Sequence, residues 1–300
     1  MMEEYSIKNY INYWDDWHKE WRSNALTSPP ILEKVKEWIT PIDKGGNENP
    51  IWQYFPEPYW GNPISKELTA VFLNVNPGGG GSEQNILNTT QIDSQLIDTY
   101  TKNKNIYSKT IKQLSSEQYY PTTKWMFEKR ISWLRKITDI ENLNVTNVLC
   151  ADLIPWHSKS KKDIIQYVLN NTTAKLIMEK VILPLTEIAK TVNGFLKSKV
   201  IVRSSLILDI LNKLPINHNN KKEFVVIDEK IGVFGKFNSY LTVFTINETD
   251  FFVFSGGVSM SLPNSIYSVY LVKPLKKIAE NKISLKEFIK TYADKSSNDE

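Results

Sequence analysis

The chain contains 300 residues, of which 41% are hydrophobic and 23% are charged, and its formal net charge is +4. This composition is typical of a globular protein with one large core or two small ones, and it excludes a disordered or fibrous chain. The mild positive charge permits a nucleic-acid partner without requiring one.

Cysteine and histidine are scarce in this sequence. The single cysteine, Cys150, cannot form an internal disulfide, and the three histidines, His18, His157 and His218, are far apart in the chain. We therefore expect no metal site and no redox cofactor. Any chemistry would then depend on carboxylates, amides, hydroxyls and one histidine.

No stretch approaches the roughly 18 consecutive apolar residues that a membrane helix requires, and the first residues lack the basic and apolar regions of a signal peptide. We expect a cytoplasmic, monomeric protein without a membrane partner.

Two helices are predicted in the N-terminal region. The first carries Trp14, Trp17 and Trp21 at helical spacing, which is typical of a stripe that packs in a core. The second begins after Ser28-Pro29-Pro30, where serine caps a helix and proline suits its first turn.

A proline-rich aromatic segment follows, Phe55-Pro56-Glu57-Pro58-Tyr59-Trp60-Gly61-Asn62-Pro63. Its three prolines predict a rigid loop that is neither helix nor strand. Tyr59 and Trp60 are candidates for stacking on a substrate. The alternative is that this loop caps the core with its aromatic side chains.

Apolar, β-branched runs predict strands that are buried on both faces. Thr69–Leu73 precedes a glycine-rich turn at 74–81, and Val145–Ala151 precedes a polar loop at 152–158. The other predicted strands are Lys199–Arg203, Phe224–Ile227, Tyr240–Ile246 and Phe251–Phe254, and the last precedes a turn of small residues at 255–264. Helical patterns occupy 91–115, 122–137, 161–192 and 206–214.

The alternation of strands and helices predicts one α/β domain with a central, largely parallel sheet flanked by helices. We assign residues 1–45 to an N-terminal helical extension packed on the core, 46–294 to the domain and 295–300 to a disordered tail. Ligands of such sheets bind beyond the carboxyl ends of the strands, where we expect the loops 74–81, 152–158 and 255–264 to meet.

Three common motifs of such loops are absent. Gly78 to Gly81 has neither the spacing of a dinucleotide-binding fingerprint nor the Gly-Lys-Ser/Thr of a P-loop. The segment around Ser259 lacks the final glycine of a nucleophile elbow, and every histidine precedes it. These departures argue against a dinucleotide-binding motif, against a P-loop and against the catalytic triad of an α/β-hydrolase.

The glycine-rich loop at 74–81 resembles a different motif. Asn74-Val75-Asn76-Pro77-Gly78, after a buried strand, resembles the Gly-x-Asn-Pro-Gly first motif of the uracil-DNA glycosylase superfamily. Asn74 stands where that motif has glycine, and the His/Asn-Pro-Ser pattern of the third motif is absent around 255–263. The resemblance therefore implies a divergent branch, such as the relatives that remove modified bases from phage DNA.

The resemblance implies roles for the residues of all three loops. Asn76 would position the hydrolytic water, and the turn of Pro77, Gly78 and Gly79 would admit a flipped nucleotide from single- or double-stranded DNA. The second loop would read the base, and the third would clamp the DNA backbone through Ser259 and Ser261.

The chemistry of N-glycosidic cleavage suits these residue types. The sugar becomes cationic and the departing base anionic, so the site must stabilise both and hold one water. His157 is the candidate contact to the leaving base, or else a histidine bonded to local backbone. Asp152, like Glu57, could activate the water or stabilise the cation, although it could equally cap a turn.

The remaining candidates would bind substrate. Trp156 is a further candidate for stacking, Ser158 for contact with the base, and Lys159 and Lys161 for contact with DNA phosphates. Solvated helix faces are the alternative for the lysines. For the whole protein, the alternatives to a DNA glycosylase are an inactive module that binds nucleic acid or a nucleotide, and a hydrolase of small nucleosides.

Overall fold

A computed structural model of the chain describes residues 7–24, 38, 58–75, 130–135, 138, 140–144, 146–155, 171–203, 207, 221–230 and 236–256. Its helices are α1 (Ile7–Asn24), α2 (Asn171–Ile177) and α3 (Leu183–Thr191), with a π-helical stretch at Met178–Ile182 and a 3-10 turn at Gly194–Leu196. Its strands are β1 (Tyr59–Trp60), β2 (Ala70–Asn74), β3 (Val148–Asp152), β4 (Lys199–Arg203), β5 (Lys221–Lys230), β6 (Lys236–Ile246) and β7 (Thr249–Gly256).

The seven strands form one mixed sheet in the order β1-β3-β2-β4-β7-β6-β5. The four central strands, β3, β2, β4 and β7, run parallel. The pairings β1 with β3, β6 with β7 and β5 with β6 are antiparallel. The α/β class is therefore confirmed, whereas the largely parallel sheet is corrected to a parallel centre with antiparallel flanks. A two-residue turn joins β6 to β7, and so short a connection allows only antiparallel pairing.

The central strands are apolar because both of their faces are covered. Every residue of β3 is buried, as are the first four of β2 and Val200–Val202 of β4. Helix α1 adds Trp14 and Trp17 to this same core, and both side chains are 0% exposed. Burial of a large apolar side chain contributes roughly 1.5–3 kcal/mol, so the predicted tryptophan stripe is an important source of stability.

The predicted strands are confirmed, and the ends of all of them except β4 differ from the prediction. Strand β3 begins at Val148, three residues after the predicted start, because the preceding residues form an asparagine turn. The main-chain N–H of Asn144 donates to Asn147 Oδ1 at 2.8 Å, and that of Thr146 donates to Asn144 Oδ1 at 2.8 Å. Strand β3 also ends later than predicted, so that Asp152 lies inside it.

The prediction that 55–63 contains no strand is wrong for Tyr59–Trp60. These two residues pair antiparallel with Ala151 and Cys150 at the edge of the sheet. The pairing is possible because the prolines lie outside the two paired residues, and a sheet edge tolerates nearby proline. Gly61, with φ +106°, follows this short strand, and a Cβ there would lie 2.6 Å from the carbonyl oxygen of Val148. Only glycine permits this close approach to β3.

Helix α1 confirms the first N-terminal helix, and 171–191 confirms the larger part of the helical prediction at 161–192. Residues 130–135, inside the predicted 122–137, are helical, as are Trp38 and Ile207. The helix predicted at 91–115, most of 206–214 and the 295–300 tail lie outside the described residues. Within the parts of the chain that the structure describes, no helix has the length and apolar character to cross a bilayer.

Candidate functional site at the carboxyl edge of the sheet

The carboxyl ends of the four parallel strands meet at one edge of the sheet. Asn74, the last residue of β2, is in register with Asp152, the last residue of β3. On the other side of β2, Arg203 of β4 is in register with Phe254 of β7. All three predicted loops therefore begin at this edge, as the sequence led us to expect of an α/β sheet.

Hydrogen bonds continue between the first two loops after the strands end. The N–H of Leu153 donates to the carbonyl of Asn74 at 2.9 Å, and the N–H of Ile154 donates to that of Val75 at 2.8 Å. The Asn74 side chain also donates to the carbonyl of Ala151 at 3.4 Å. The chain therefore leaves β2 and β3 along neighbouring paths as far as Val75 and Ile154, and in the sequence Asn76 follows Val75.

Asp152 is buried at this edge, with 1% of its surface exposed. Its main-chain N–H donates to the carbonyl of Pro58 at 3.0 Å, which fixes the proline-rich loop against the end of β3. A carboxyl group in such a position is desolvated, so its interactions with neighbouring polar groups are stronger than they would be in water.

Two buried tyrosines near the end of β3 are grouped here with this carboxylate as the tyrosine–aspartate cluster: Tyr10, Tyr59 and Asp152. The rings of Tyr10 and Tyr59 are tilted by 31°, with centroids 5.1 Å apart. Burial raises the pKa of Tyr10 well above its ordinary value, and Tyr59 and Asp152 raise it further. The Tyr10 hydroxyl therefore keeps its proton at neutral pH and can act as a donor.

Cys150 lies two residues before Asp152 on β3, paired with Trp60 of β1 and with Phe72 of β2. Burial raises the pKa of its thiol from 9.0 to about 12, while the nearby charge of Arg130 lowers it and that of Asp152 raises it. Because the thiolate is the reactive form, this cysteine is not a nucleophile near neutral pH. Its environment also identifies Arg130 as a positive charge that acts on Cys150.

The two aromatic residues proposed for substrate stacking are buried in the core. Tyr59 is 0% and Trp60 is 1% exposed, so both rings are covered by protein. Their burial favours the alternative interpretation, in which the proline-rich loop caps the core. Trp156 is the remaining stacking candidate, and it lies outside the described residues.

Most of the other predicted site residues also lie outside the described residues: Asn76, Pro77, Gly78, Gly79, His157, Ser158, Lys159, Lys161, Ser259 and Ser261. Sequence reasoning did not select Tyr10. A signal for Tyr10 was present, since it precedes Trp14, Trp17 and Trp21 on the same helical stripe and is the member with a hydroxyl group. Among the residues that the structure describes, no group of three or more His, Cys, Asp or Glu side chains could hold a metal ion.

No protein-family model, curated protein or solved structure matches this chain. The functional assignment therefore depends on the residues of the three loops and on the geometry of the edge from which they start.

Proposed function

We propose that this protein is a DNA glycosylase-like hydrolase, which cleaves the N-glycosidic bond of a flipped uracil or modified base. The observation that carries the proposal is the hydrogen-bonded exit of the loops after β2 and β3, next to the buried carboxylate of Asp152. The likeness of 74–78 to the first motif of the uracil-DNA glycosylase superfamily supports it, and so does the order of the three loops along the chain.

In the proposed reaction, Asn76 holds one water molecule against the anomeric carbon of the flipped nucleotide. The C–N bond breaks, the electron pair leaves with the base, and a sugar cation develops. The carboxylate of Asp152 stabilises that cation and accepts the proton of the water as the new C–O bond forms. His157 donates a hydrogen bond to the departing base, whose negative charge it stabilises.

The experiment is incubation of the purified protein with unmodified DNA, uracil-containing DNA and heavily modified phage DNA, followed by mass spectrometry of the released bases. We expect the wild type to release a base from one of these substrates, and Asn76→Ala to release none. Asn142→Ala is the matched control, because Asn142 is exposed and lies before β3 at the opposite edge of the sheet. This control should release base at the rate of the wild type.

The substitution of Asn74 for the motif's glycine favours a second candidate, an inactive module that binds nucleic acid or a nucleotide. Retained DNA binding without base release from any substrate would support this candidate against the glycosylase. Release of base from free nucleosides, with none from DNA, would instead indicate a nucleoside hydrolase.

A further inference from the structure

The register of the sheet shows how far each strand extends beyond the candidate site. Asn74 and Asp152 are in register at the carboxyl ends of β2 and β3. Leu73, the residue before Asn74, is in register with Val202, so Asn74 lies level with Arg203 of β4. The residues level with Arg203 on the remaining strands are Phe254, Leu241 and Val225.

Strands β5 and β6 continue past this level. Their pairing extends to Lys230 with Lys236, which lie five residues beyond Val225 and Leu241 respectively. At about 3.4 Å per residue, the two strands reach roughly 17 Å further than the end of β2. Ser239 of β6 is in register with the last residue of β7, so in the described part of the chain the pairs beyond Ser239 form a two-stranded segment. We term this segment the projecting ribbon: 228–230 of β5 and 236–238 of β6.

The outermost pair of the projecting ribbon consists of two lysines. Lys230 and Lys236 are directly opposite each other, and like charges in that position destabilise an antiparallel pair. Successive residues of a strand alternate between its two faces, so Asp228 shares a face with the lysine pair, and Glu229 lies on the other. One carboxylate on that face balances only one of the two lysines. The end of the ribbon therefore keeps a positive charge that strand pairing does not explain.

The position of this lysine pair suits a phosphate backbone that passes the candidate site. Three strand spacings of about 4.8 Å separate β6 from β2, which is roughly 14 Å across the sheet. Together with the 17 Å along the strands, this places the end of the ribbon roughly 22 Å from Asn74. DNA rises about 3.4 Å per nucleotide, so a strand whose flipped nucleotide enters beside β2 and β3 reaches the lysines about six nucleotides away. A two-stranded ribbon is also narrow enough to enter the major groove.

We propose that the projecting ribbon is a DNA-binding arm, in which Lys230 and Lys236 contact phosphates about six nucleotides from the flipped base. The choice of DNA as the partner rests on the proposed function, whereas the position and the charge of the ribbon do not. Contacts to phosphates carry no sequence information, so the arm contributes affinity and orientation and leaves the choice of base to the loops after β2 and β3.

The first test combines Lys230→Ala with Lys236→Ala and measures binding to an unmodified, fluorescein-labelled duplex of about 25 base pairs by fluorescence anisotropy. Two lost phosphate contacts should make the slope of log K against log salt concentration shallower by about 1.8. The advantage of the wild type over this variant should therefore fall about twelvefold between 50 mM and 200 mM salt. Lys221→Ala with Lys222→Ala, at the other end of β5, is the matched control and should keep the slope of the wild type.

Two further measurements test the position of the arm and exclude a structural effect. On a substrate duplex of about 25 base pairs with a central target base, the ribbon variant should raise KM severalfold and leave kcat unchanged. On a GC-rich duplex of about nine base pairs, which ends before the ribbon, its KM should equal that of the wild type. The urea midpoint of the variant should not fall, because the substitutions remove two opposed like charges.

The two proposals can fail separately. An unchanged salt slope in the ribbon variant, or the same increase of KM on both duplexes, would overturn the arm and leave the glycosylase. A wild type that releases no base but binds the long duplex with the predicted loss of slope in the variant would overturn the glycosylase and leave the arm. A wild type that binds no DNA would overturn both.

Discussion

Buried polar groups at the two ends of the parallel strands differ in their hydrogen bonding. At the amino end, Asn147 is buried, but its side chain accepts from the N–H of Asn144 and donates to the carbonyl of Asn142. Thr249, fully buried at the start of β7, likewise donates to the carbonyl of Thr186. At the carboxyl end, the hydroxyl of Tyr10 is buried without such a hydrogen bond to the described residues, and the buried carboxylate of Asp152 acts on it electrostatically.

This difference separates buried polar groups that have local hydrogen bonds from a buried hydroxyl that has none to the described residues. The buried polar side chains at the amino end, Asn147 and Thr249, form local hydrogen bonds that stabilise turns and the starts of strands. At the carboxyl end, the Tyr10 hydroxyl has no such hydrogen bond to the described residues, and the burial of a polar group without one lowers stability. Substitutions at the two ends should therefore affect different properties of the protein.

The largest expected effect concerns the buried thiol of Cys150 on β3 and its reactivity in the folded protein. With a pKa of about 12 against 9.0 for an exposed thiol, Cys150 should be alkylated at pH 8 roughly 1,000-fold more slowly in the folded protein than in urea. Because the unfolded chain loses this proton first, the free energy of unfolding should decrease as the pH rises from 9.0 toward about 12. Labelling of the native protein at the rate of the unfolded chain would show that the packing around Cys150 opens readily.

The next effect compares Lys159 and Lys161, which are proposed to contact DNA, with two lysines at the amino end. Under the proposed function, Lys159→Ala combined with Lys161→Ala should weaken DNA binding and make the salt dependence of log K shallower by about 1.8, two phosphate contacts at roughly 0.9 each. The matched control is Lys66→Ala combined with Lys197→Ala, two exposed lysines before β2 and β4 at the amino end. If both pairs changed the slope of log K against log salt concentration equally, DNA contact could not be assigned to Lys159 and Lys161 in particular.

A smaller effect, on stability alone, is expected at the amino end. Asn147→Ala removes two side-chain hydrogen bonds from a buried turn and should lower the free energy of unfolding by about 2 kcal/mol. Urea denaturation measures this change, and the m-value should stay the same. Base release at saturating substrate should be unaffected. A loss of activity without a loss of stability would contradict the assignment of this end to folding.

The sequence predicts the centre of the sheet well because its strands depend on local composition. The apolar, β-branched runs of β2 and β4 are visible without any structure, and so is the tryptophan spacing of α1. The full lengths of β5 and β6 cannot be seen in the sequence. Polar and charged residues extend these strands beyond the predicted parts, Phe224–Ile227 and Tyr240–Ile246. Strand direction depends on the connections, so the antiparallel flank could not be read from composition.

The candidate site shows the same limit. Asp152 was selected because it follows an apolar run and begins a polar loop, which is a local signal. Tyr10 could not be connected with it, because the link between them is the contact of the Tyr10 ring with Tyr59 of β1, the strand that pairs with β3. Spacing and periodicity are local signals, so they cannot predict a contact between residues so far apart in the chain.

The smallest expected effect is a gain in stability at the amino end. Asn247 and Glu248 form the two-residue turn between β6 and β7, with φ of +48° and +62°. Both angles are typical of a type I′ turn, which asparagine tolerates and glutamate does not. Glu248→Gly should raise the free energy of unfolding by about 0.5 kcal/mol, because the relief of strain exceeds the entropy that glycine adds to the unfolded chain.

The control for this substitution is Lys197→Gly, at an exposed position with φ −55°, where there is no such strain to relieve. It should lower the free energy of unfolding by roughly 0.5–1 kcal/mol, since only the entropy term remains. Neither variant should change base release, because both positions lie at the end of the sheet opposite Asp152. If Glu248→Gly altered activity as strongly as stability, the hairpin turn would have to be coupled to the carboxyl end through β7, and the two ends could no longer be treated as independent.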